Sequence, residues 1–362
     1  MGKIKVYLLL IVIAVGAFIF YEVSAAPDED KDKKFIMSYL YEGNTSNYIQ
    51  NVKRTQGALD EVSPAYFNLN DDGTLQETEK INSSFIEEMH EQSVAVVPFL
   101  SDHWDKDKAK AALENKEELA SQIASTIEQY NLDGINVDIE NVTAEEREDY
   151  SEFVKLLKEK LSDEKTLSVA VAANPKGWNT GWQGAYDYST LAQYSDYLML
   201  MAYDEHSVDH ETSGPVASFS FVEKTIKYAL SQNVPSEKIV LGVPFYGRLW
   251  NDDGTILGID IPMKNVDALI ERYNGEIDYD EEYQSAKATF TVKSTDEPST
   301  INGTKLTPGT YTLWYENEQS IKAKLQLIQK YNLKGAGIWN LGKETAQTWD
   351  YFEQSLNASS EK

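Results

Sequence analysis

The sequence predicts a (β/α)8 barrel, and three observations carry that prediction. Short, nearly continuous apolar runs alternate with amphipathic segments of helical period, as strands buried on both faces of a parallel sheet require. Eight such runs follow one another from Phe35. The Gly-rich first turn that an open doubly wound sheet usually carries is missing after the first run.

The runs are Phe35–Tyr41 (FIMSYLY), Ala65–Leu69 (AYFNL), Val94–Leu100 (VAVVPFL) and Ile135–Glu140 (INVDIE), then Leu167–Ala173 (LSVAVAA), Tyr197–Tyr203 (YLMLMAY), Ile239–Gly247 (IVLGVPFYG) and Gly335–Leu341 (GAGIWNL). Helical patterns fill the gaps. Leu119, Ile123 and Ile127 repeat at i, i+4, i+8, with Ala120 and Ala124 beside them. Thr143 and Glu146 form a T-x-x-E capping box expected to open the helix of Phe153, Leu156, Leu157 and Leu161. Ile321, Leu325 and Ile328 repeat the stripe before the last strand.

One segment breaks the alternation. Between Trp250 and Trp314 lie a short helix candidate (Val266–Tyr273), a β run (Ala288–Val292) and turn-rich text from Pro298 to Thr310. This reads as a small α+β insertion after the seventh strand, residues 251–313, forming one wall of a cleft. The barrel as a whole is expected over 35–355, with a tail at 356–362.

At the N-terminus Lys3 and Lys5 precede an apolar run, Val6 to Phe20, and small residues follow at Ser24, Ala25 and Ala26. That order is an export signal's, and the run falls short of the roughly 20 residues of a bilayer span. An uncleaved membrane anchor is the alternative for 1–26, and either places the body of the chain outside the cytoplasm. Residues 27–34 (PDEDKDKK) read as a charged, solvated linker. An exported chain without cysteine fits a bacterial envelope, associated with membrane or wall through its N-terminus, and is expected to act as a monomer.

Composition removes several function classes. Lys and Arg total 33 against 59 Asp and Glu, a net charge of −26, so a phosphate backbone finds few clustered cations and nucleic acid is excluded as a partner. With no cysteine there is no disulfide, thiolate metal site or cysteine nucleophile. His206 and His210 give an H-x3-H spacing without a third ligand, so no metal and no cofactor is expected. Five Asn-x-Ser/Thr triplets, at Asn44, Asn82, Asn141, Asn302 and Asn357, read as accidents of composition.

The chemistry concentrates in the fourth run. Asn136, Asp138 and Glu140 alternate with Ile135, Val137 and Ile139, so the polar side chains share the face that points into a barrel. Glu140 falls at the C-terminal end of that strand, where barrel active sites are built. Two carboxylates this close are costly to bury unless they share a proton or hydrogen bonds, and their pKa values should separate. Asp133 is expected to shape the turn with Gly134. Residues i and i+2 on one strand lie on one side of a ligand, so they cannot flank a glycosidic bond as the usual carboxylate pair does. An acid and its helper on one side require the nucleophile to come from elsewhere, and a substrate's 2-acetamido oxygen can supply it.

At this point the residues resemble a known family. LDGINVDIEN (Leu132–Asn141) resembles the D-G-x-D-x-D-x-E signature of glycoside hydrolase family 18. MAYD (Met201–Asp204) resembles its sixth strand, VPFYGR (Val243–Arg248) its seventh, and GIWNLG around Trp339 its eighth. The resemblance implies that Glu140 protonates the leaving oxygen and that Asp138 orients the acetamido group as it closes to an oxazolinium. It implies that Tyr203 donates a hydrogen bond to that group, that Asp204 and Met201 border the substrate, and that Trp339 floors the sugar. Tyr39 and Arg248 transfer more weakly, and an arginine at a barrel rim is equally a structural tie. Asn136 stands where chitinases usually carry a second aspartate; an amide cannot share a proton with Asp138 but can hydrogen-bond it. This Asn form, and WYENEQSIKAK (Trp314–Lys324), resemble the branch of spore cortex-lytic N-acetylglucosaminidases and spore germination proteins, whereas PFYGR is closer to chitinases.

Of seven tryptophans, Trp104, Trp178, Trp182, Trp250 and Trp339 fall at or after the ends of runs, and a rim of indoles suits the C–H faces of a polysaccharide. Trp349, at helical spacing from Phe352, reads as core. The expected partner is therefore an N-acetylglucosamine-containing glycan. The rival reading is a barrel kept for glycan binding alone, with Asn136 its main support.

Overall fold

A computed structural model describes residues 33–358; the export segment, most of the charged linker and the last residues of the tail lie outside the described residues. The eight parallel positions form a closed ring. They are Phe35–Leu40, Glu61–Pro64 continued by Phe67–Leu69, Ala95–Val96 continued by Phe99–Ser101, Gly134–Asp138, Thr166–Ala172, Tyr197–Met201, Ile239–Pro244 and Gly335–Trp339. The last strand pairs with both the seventh and the first, Gly335 facing Val240 on one side and Phe35 on the other. The ring continues through Met37 beside Glu61, Glu61 beside Ala95, and Phe99 beside Asn136.

Positions two and three are each split, which the sequence did not show. The second begins at Glu61, earlier than the expected Ala65, and its two halves pair with different neighbours. Pro64 and Pro98 sit at the breaks and lack an N–H for the ladder. Two amides within the breaks still find carbonyls: Ala65 donates to Leu40 at 3.0 Å and Val97 to Val62 at 2.9 Å. The fourth and sixth strands also stop short, at Asp138 and Met201, so Glu140 and Tyr203 stand in the loops above them.

Helices shield the outside. Leu119, Ile123 and Ile127 are buried on Lys116–Gln129, and Ile321, Leu325 and Ile328 on Glu318–Lys330. The Thr143/Glu146 box closes a turn and not a helix. Glu146 Oε2 accepts from the Thr143 N–H at 2.8 Å, but the helix of Phe153 runs Arg147–Lys160. Asp133 does more than shape a turn: its Oδ2 accepts the Val96 N–H and meets His90 Nε2, both at 2.7 Å, tying the third strand to the helix Ser83–Glu91. Asn44 and Asn82 are helix N-caps. Lys34, assigned to the solvated linker, bonds Asn357 Oδ1 at 2.8 Å and Leu333 O at 2.9 Å. The final helix, Thr348–Asn357, carries Trp349 and Phe352 into the core and extends past residue 355.

The ring interior has its own packing cluster, which includes Met37, Tyr39, Phe99, Ala170, Tyr197, Met199, Met201 and Val240. Gly242 is needed where Tyr203 leans on the seventh strand, since a Cβ there would lie 2.4 Å from Leu200 O and 2.9 Å from Tyr203 Cε1.

The insertion is a five-stranded antiparallel sheet in the order Ile259–Pro262, Tyr246–Asn251, Gly309–Tyr315, Ser285–Val292, Glu276–Asp280, with the helix Met263–Arg272. It runs from Tyr246 to Tyr315, wider than 251–313. The VPFYGR stretch is accordingly divided: Val243 and Pro244 end the barrel strand and Tyr246 begins the inserted sheet. Tyr273, Phe290 and Tyr311 stack through its core at 5.2 and 5.3 Å. Trp250 lies within this sheet, 3% exposed, its Nε1 donating to His210 O at 2.8 Å, so it is not an indole of the rim.

Candidate active site

Parallel strands bring their C-terminal ends to one mouth, and the side chains gathered there come from six of the eight positions. Tyr39 rises from the first, Asp102 follows the third, Asp138 ends the fourth with Glu140 in the loop just above it, Trp178 and Trp182 follow the fifth, Tyr203 and Asp204 the sixth, and Trp339 ends the eighth.

Asn136 and Asp138 are both buried on the inner face of the fourth strand, as the alternation requires. The Asn136 amide bonds elsewhere: Oδ1 accepts from the Tyr39 hydroxyl at 3.0 Å and Nδ2 donates to Ser168 Oγ at 2.8 Å. The hydrogen bond that an amide could make to Asp138 is not formed among the described residues. Asp138 Oδ1 is buried with no partner among the described residues. Burial, then the negative charge of Asp102, pushes the Asp138 carboxyl up to about 7.

Glu140 is half-buried above it. Desolvation and the charges of Asp138, Asp102 and Asp204 hold its carboxyl well above the usual carboxylate range, so it keeps a proton where an ordinary glutamate has lost one. Burial keeps Tyr39 and Tyr203 neutral hydroxyl donors, their phenol pKa values raised well above 10.

Asp102 is the residue that sequence reasoning missed. It is buried, Oδ1 accepts the Glu140 N–H at 2.8 Å, and burial first of all lifts its carboxyl to about 6. Its position directly after the third apolar run, at the same barrel end that singled out Glu140, was the available signal.

Asp204 lies at the mouth with a left-handed backbone, φ 57°. Its Oδ1 accepts from the Tyr246 hydroxyl at 2.7 Å and from Arg248 Nε and Nη2 at 2.8 and 2.7 Å. Arg248 is buried and donates through Nη1 to Gly258 O at 2.8 Å, so it ties the sixth-strand loop to the inserted sheet. Met201 is buried in the interior cluster below Tyr203.

Trp339 is half-buried, edge-on to Tyr39 at 5.2 Å and tilted against Tyr41 at 5.5 Å, so its ring is held as a rigid surface. Trp104 and Trp182 meet edge to face at 5.2 Å, and Trp182 Nε1 donates to Tyr186 OH at 3.1 Å, which in turn bonds Ile139 O. Trp178 is 48% exposed, clasped through its backbone by Asn174, with Lys176 Nζ 4.8 Å from its ring. The His206 and His210 rings pack 4.9 Å apart, and among the described residues no group of three His, Asp or Glu could hold a metal ion.

The arrangement is a proton donor and a second acid from one strand end at a barrel mouth that also carries Tyr39, Tyr203 and Trp339. Residues 31–344 match the family model described as Glycosyl hydrolases family 18. The chain is 27% identical over 252 residues to the uncharacterized glycosylase YvbX of Bacillus subtilis, covering 68% of this chain and 69% of that protein. It is 28% identical over 248 residues to the cortical fragment-lytic enzyme of the same organism, covering 67% of this chain but only 54% of that protein. The crystal structure of a chitinase from Chromobacterium violaceum superposes with a TM-score of 0.78 at 25% identity, covering 89% of this chain and 99% of that one. With the match running through the barrel strands and the acid pair alike, the chain belongs to family 18 of the glycosyl hydrolases, a family of glycosidases.

Proposed function

We propose that this protein is a retaining glycosidase that cleaves β-1,4 bonds after N-acetylglucosamine, using the substrate's own acetamido group as nucleophile. The observation that carries the reading is the one-sided acid pair: Glu140 at the mouth, its carboxyl held well above the usual carboxylate range by burial and neighbouring acids, and Asp138 beneath it with a buried oxygen that has no partner among the described residues. An unpartnered buried carboxylate oxygen is costly, and an acetamido N–H is the group that would satisfy it.

Glu140 gives its proton to the glycosidic oxygen as the C1–O bond breaks. The acetamido oxygen attacks C1 from the opposite face, and the resulting oxazolinium carries its N–H against Asp138, which as a carboxylate accepts that N–H and offsets the positive charge. Tyr203 donates to the acetamido group and Trp339 lies under the ring. Water then opens the oxazolinium with Glu140 as base, which returns the original anomeric configuration.

For the polymer, the likeness to a cortical fragment-lytic enzyme supports a peptidoglycan glycan, and the likeness to a chitinase supports a chitin-like one. Hydrolysis of muropeptide strands and chitin oligomers side by side, with products weighed by mass spectrometry, separates them. The residue order of 1–26 supports action outside the cytoplasm, by export or anchoring. The deciding test is Glu140→Gln, assayed on an aryl β-glycoside of N-acetylglucosamine or its dimer: turnover should fall by at least about a hundredfold, from loss of the general acid. Unchanged turnover ends the proposal, and tight glycan binding by the wild type with no turnover at any pH would favour a barrel kept for glycan binding alone.

A further inference from the structure

Three buried or half-buried carboxyls meet at the mouth of the fourth strand, and the reading above employs only two of them. The third, Asp102, comes from the neighbouring strand; Ser101 pairs in register with Asp138, which places Asp102 one step above the pair. Its two oxygens have different fates. Oδ1 accepts the Glu140 main-chain N–H at 2.8 Å, whereas Oδ2 is buried and has no partner among the described residues.

The loop that carries it is held to the same place by a second bond. His103 and Trp104 follow Asp102 with left-handed φ values of 51° and 64°, and Asn141 Nδ2, on the residue after Glu140, donates to Trp104 O at 2.7 Å. Asn141 itself has φ 49°. Both chains therefore turn sharply at this contact and are laced together across it. Such backbone is costly for residues other than glycine and persists where its surroundings enforce it.

We propose that Asp102 is a positioning residue for the proton donor: Oδ1 sets the Glu140 main chain, and Oδ2 supplies the negative charge beside Asp138 and Glu140 that Asn136 does not. This rests on the assignment of Glu140 as the acid. The charged neighbours that act on Glu140 are Asp138, Asp102 and Asp204, all of one sign. Asp105 is the charged neighbour that acts on Asp102, while Tyr39, Tyr150, Tyr186 and Tyr203 face the acids as neutral phenols. Removing the Asp102 charge must therefore ease ionisation of Glu140 and make it lose its proton at lower pH.

The test is the pH profile of kcat/KM for Asp102→Asn and Asp102→Ala on the aryl glycoside, beside Glu140→Gln. Asparagine keeps an acceptor for the Glu140 N–H and loses the charge. Its basic limb should move down by about one pH unit, the size of effect one adjacent charge exerts, with kcat below the limb within a few-fold of wild type. Alanine loses both functions, so it should show the same shift and a further drop in kcat of about tenfold across the range. Either variant suffices to read the charge if the other does not fold. Superimposed profiles for wild type and a folded variant overturn the proposal and leave Glu140 as the acid if Glu140→Gln is dead. An active Glu140→Gln instead overturns the assignment beneath it.

Discussion

The Tyr39 hydroxyl donates to Asn136 Oδ1 at 3.0 Å inside the barrel, and that bond, with Nδ2 directed to Ser168, turns the Asn136 amide away from Asp138. Asn136 is thus held in the interior network, and Asp138 Oδ1 is left buried without a partner among the described residues. Asn136→Asp would add an acid at this buried spot, next to Asp138. Like charges oppose ionisation of one another, so the basic limb of kcat/KM should rise by about one pH unit, opposite in sign to the Asp102→Asn shift. A profile unchanged or moved down would refute the coupling.

Glu61 is buried in the interior, receives a 2.5 Å hydrogen bond from Tyr197, and has its carboxyl pushed up to about 8, chiefly by burial. Its folded value lies above the unfolded one, so it binds more protons folded than unfolded between about pH 4.5 and 8. Its contribution is whole below that window and is lost as pH rises through it. Glu61→Gln keeps an acceptor for Tyr197 but cannot titrate. Thermal melts should show the variant gaining on wild type from pH 5 to pH 9; a constant difference would count against a neutral Glu61.

Arg248→Met removes three donors at once, two to Asp204 and one to Gly258. Because Asp204 is solvent-exposed the loss is screened, and about 2 kcal/mol of stability is expected to go. The freed Asp204 should also raise KM more than it lowers kcat, since the change reaches substrate through the rim. Denaturant melts and steady-state kinetics check the two parts separately.

Gly242→Ala places a methyl 2.9 Å from Tyr203 Cε1 and 2.4 Å from Leu200 O, with the second neighbour a main-chain atom that cannot swing aside. Overpacking of this kind costs about 1–3 kcal/mol. Displacement of Tyr203 should lower kcat at constant protein concentration, and a variant of wild-type kcat would show that Tyr203 tolerates the shift.

Trp104 is 53% exposed and rests on Trp182. Trp104→Ala should raise KM for glycan oligomers by about fivefold, roughly the 1 kcal/mol of one aromatic contact, and leave the short aryl glycoside unaffected. Equal effects on both substrates would place Trp104 at the reacting sugar.

What could be read from the chain was whatever depends on local period. Alternation over Ile135–Glu140 placed Asn136 and Asp138 on the inner face, and the apolar runs located eight strand positions, because side-chain direction in a strand is decided by the residue's parity. Helical stripes such as Leu119, Ile123 and Ile127 were legible for the same reason. The breaks at Ala65–Tyr66 and Val97–Pro98 were not, because a split strand shows itself only through which neighbour each half pairs with.

The sequence by itself determined the barrel, the acid pair and the aromatic richness of its mouth. Tertiary structure alone decided that Asn136 serves Tyr39 and Ser168, that Arg248 clamps Asp204, that Trp250 is buried, and that Asp102 joins the acids from a strand 38 residues away. The reason is physical: hydrogen bonds and charge coupling act over a few ångströms in space, and separation along the chain carries no record of which distant residues closure of the ring brings within that range.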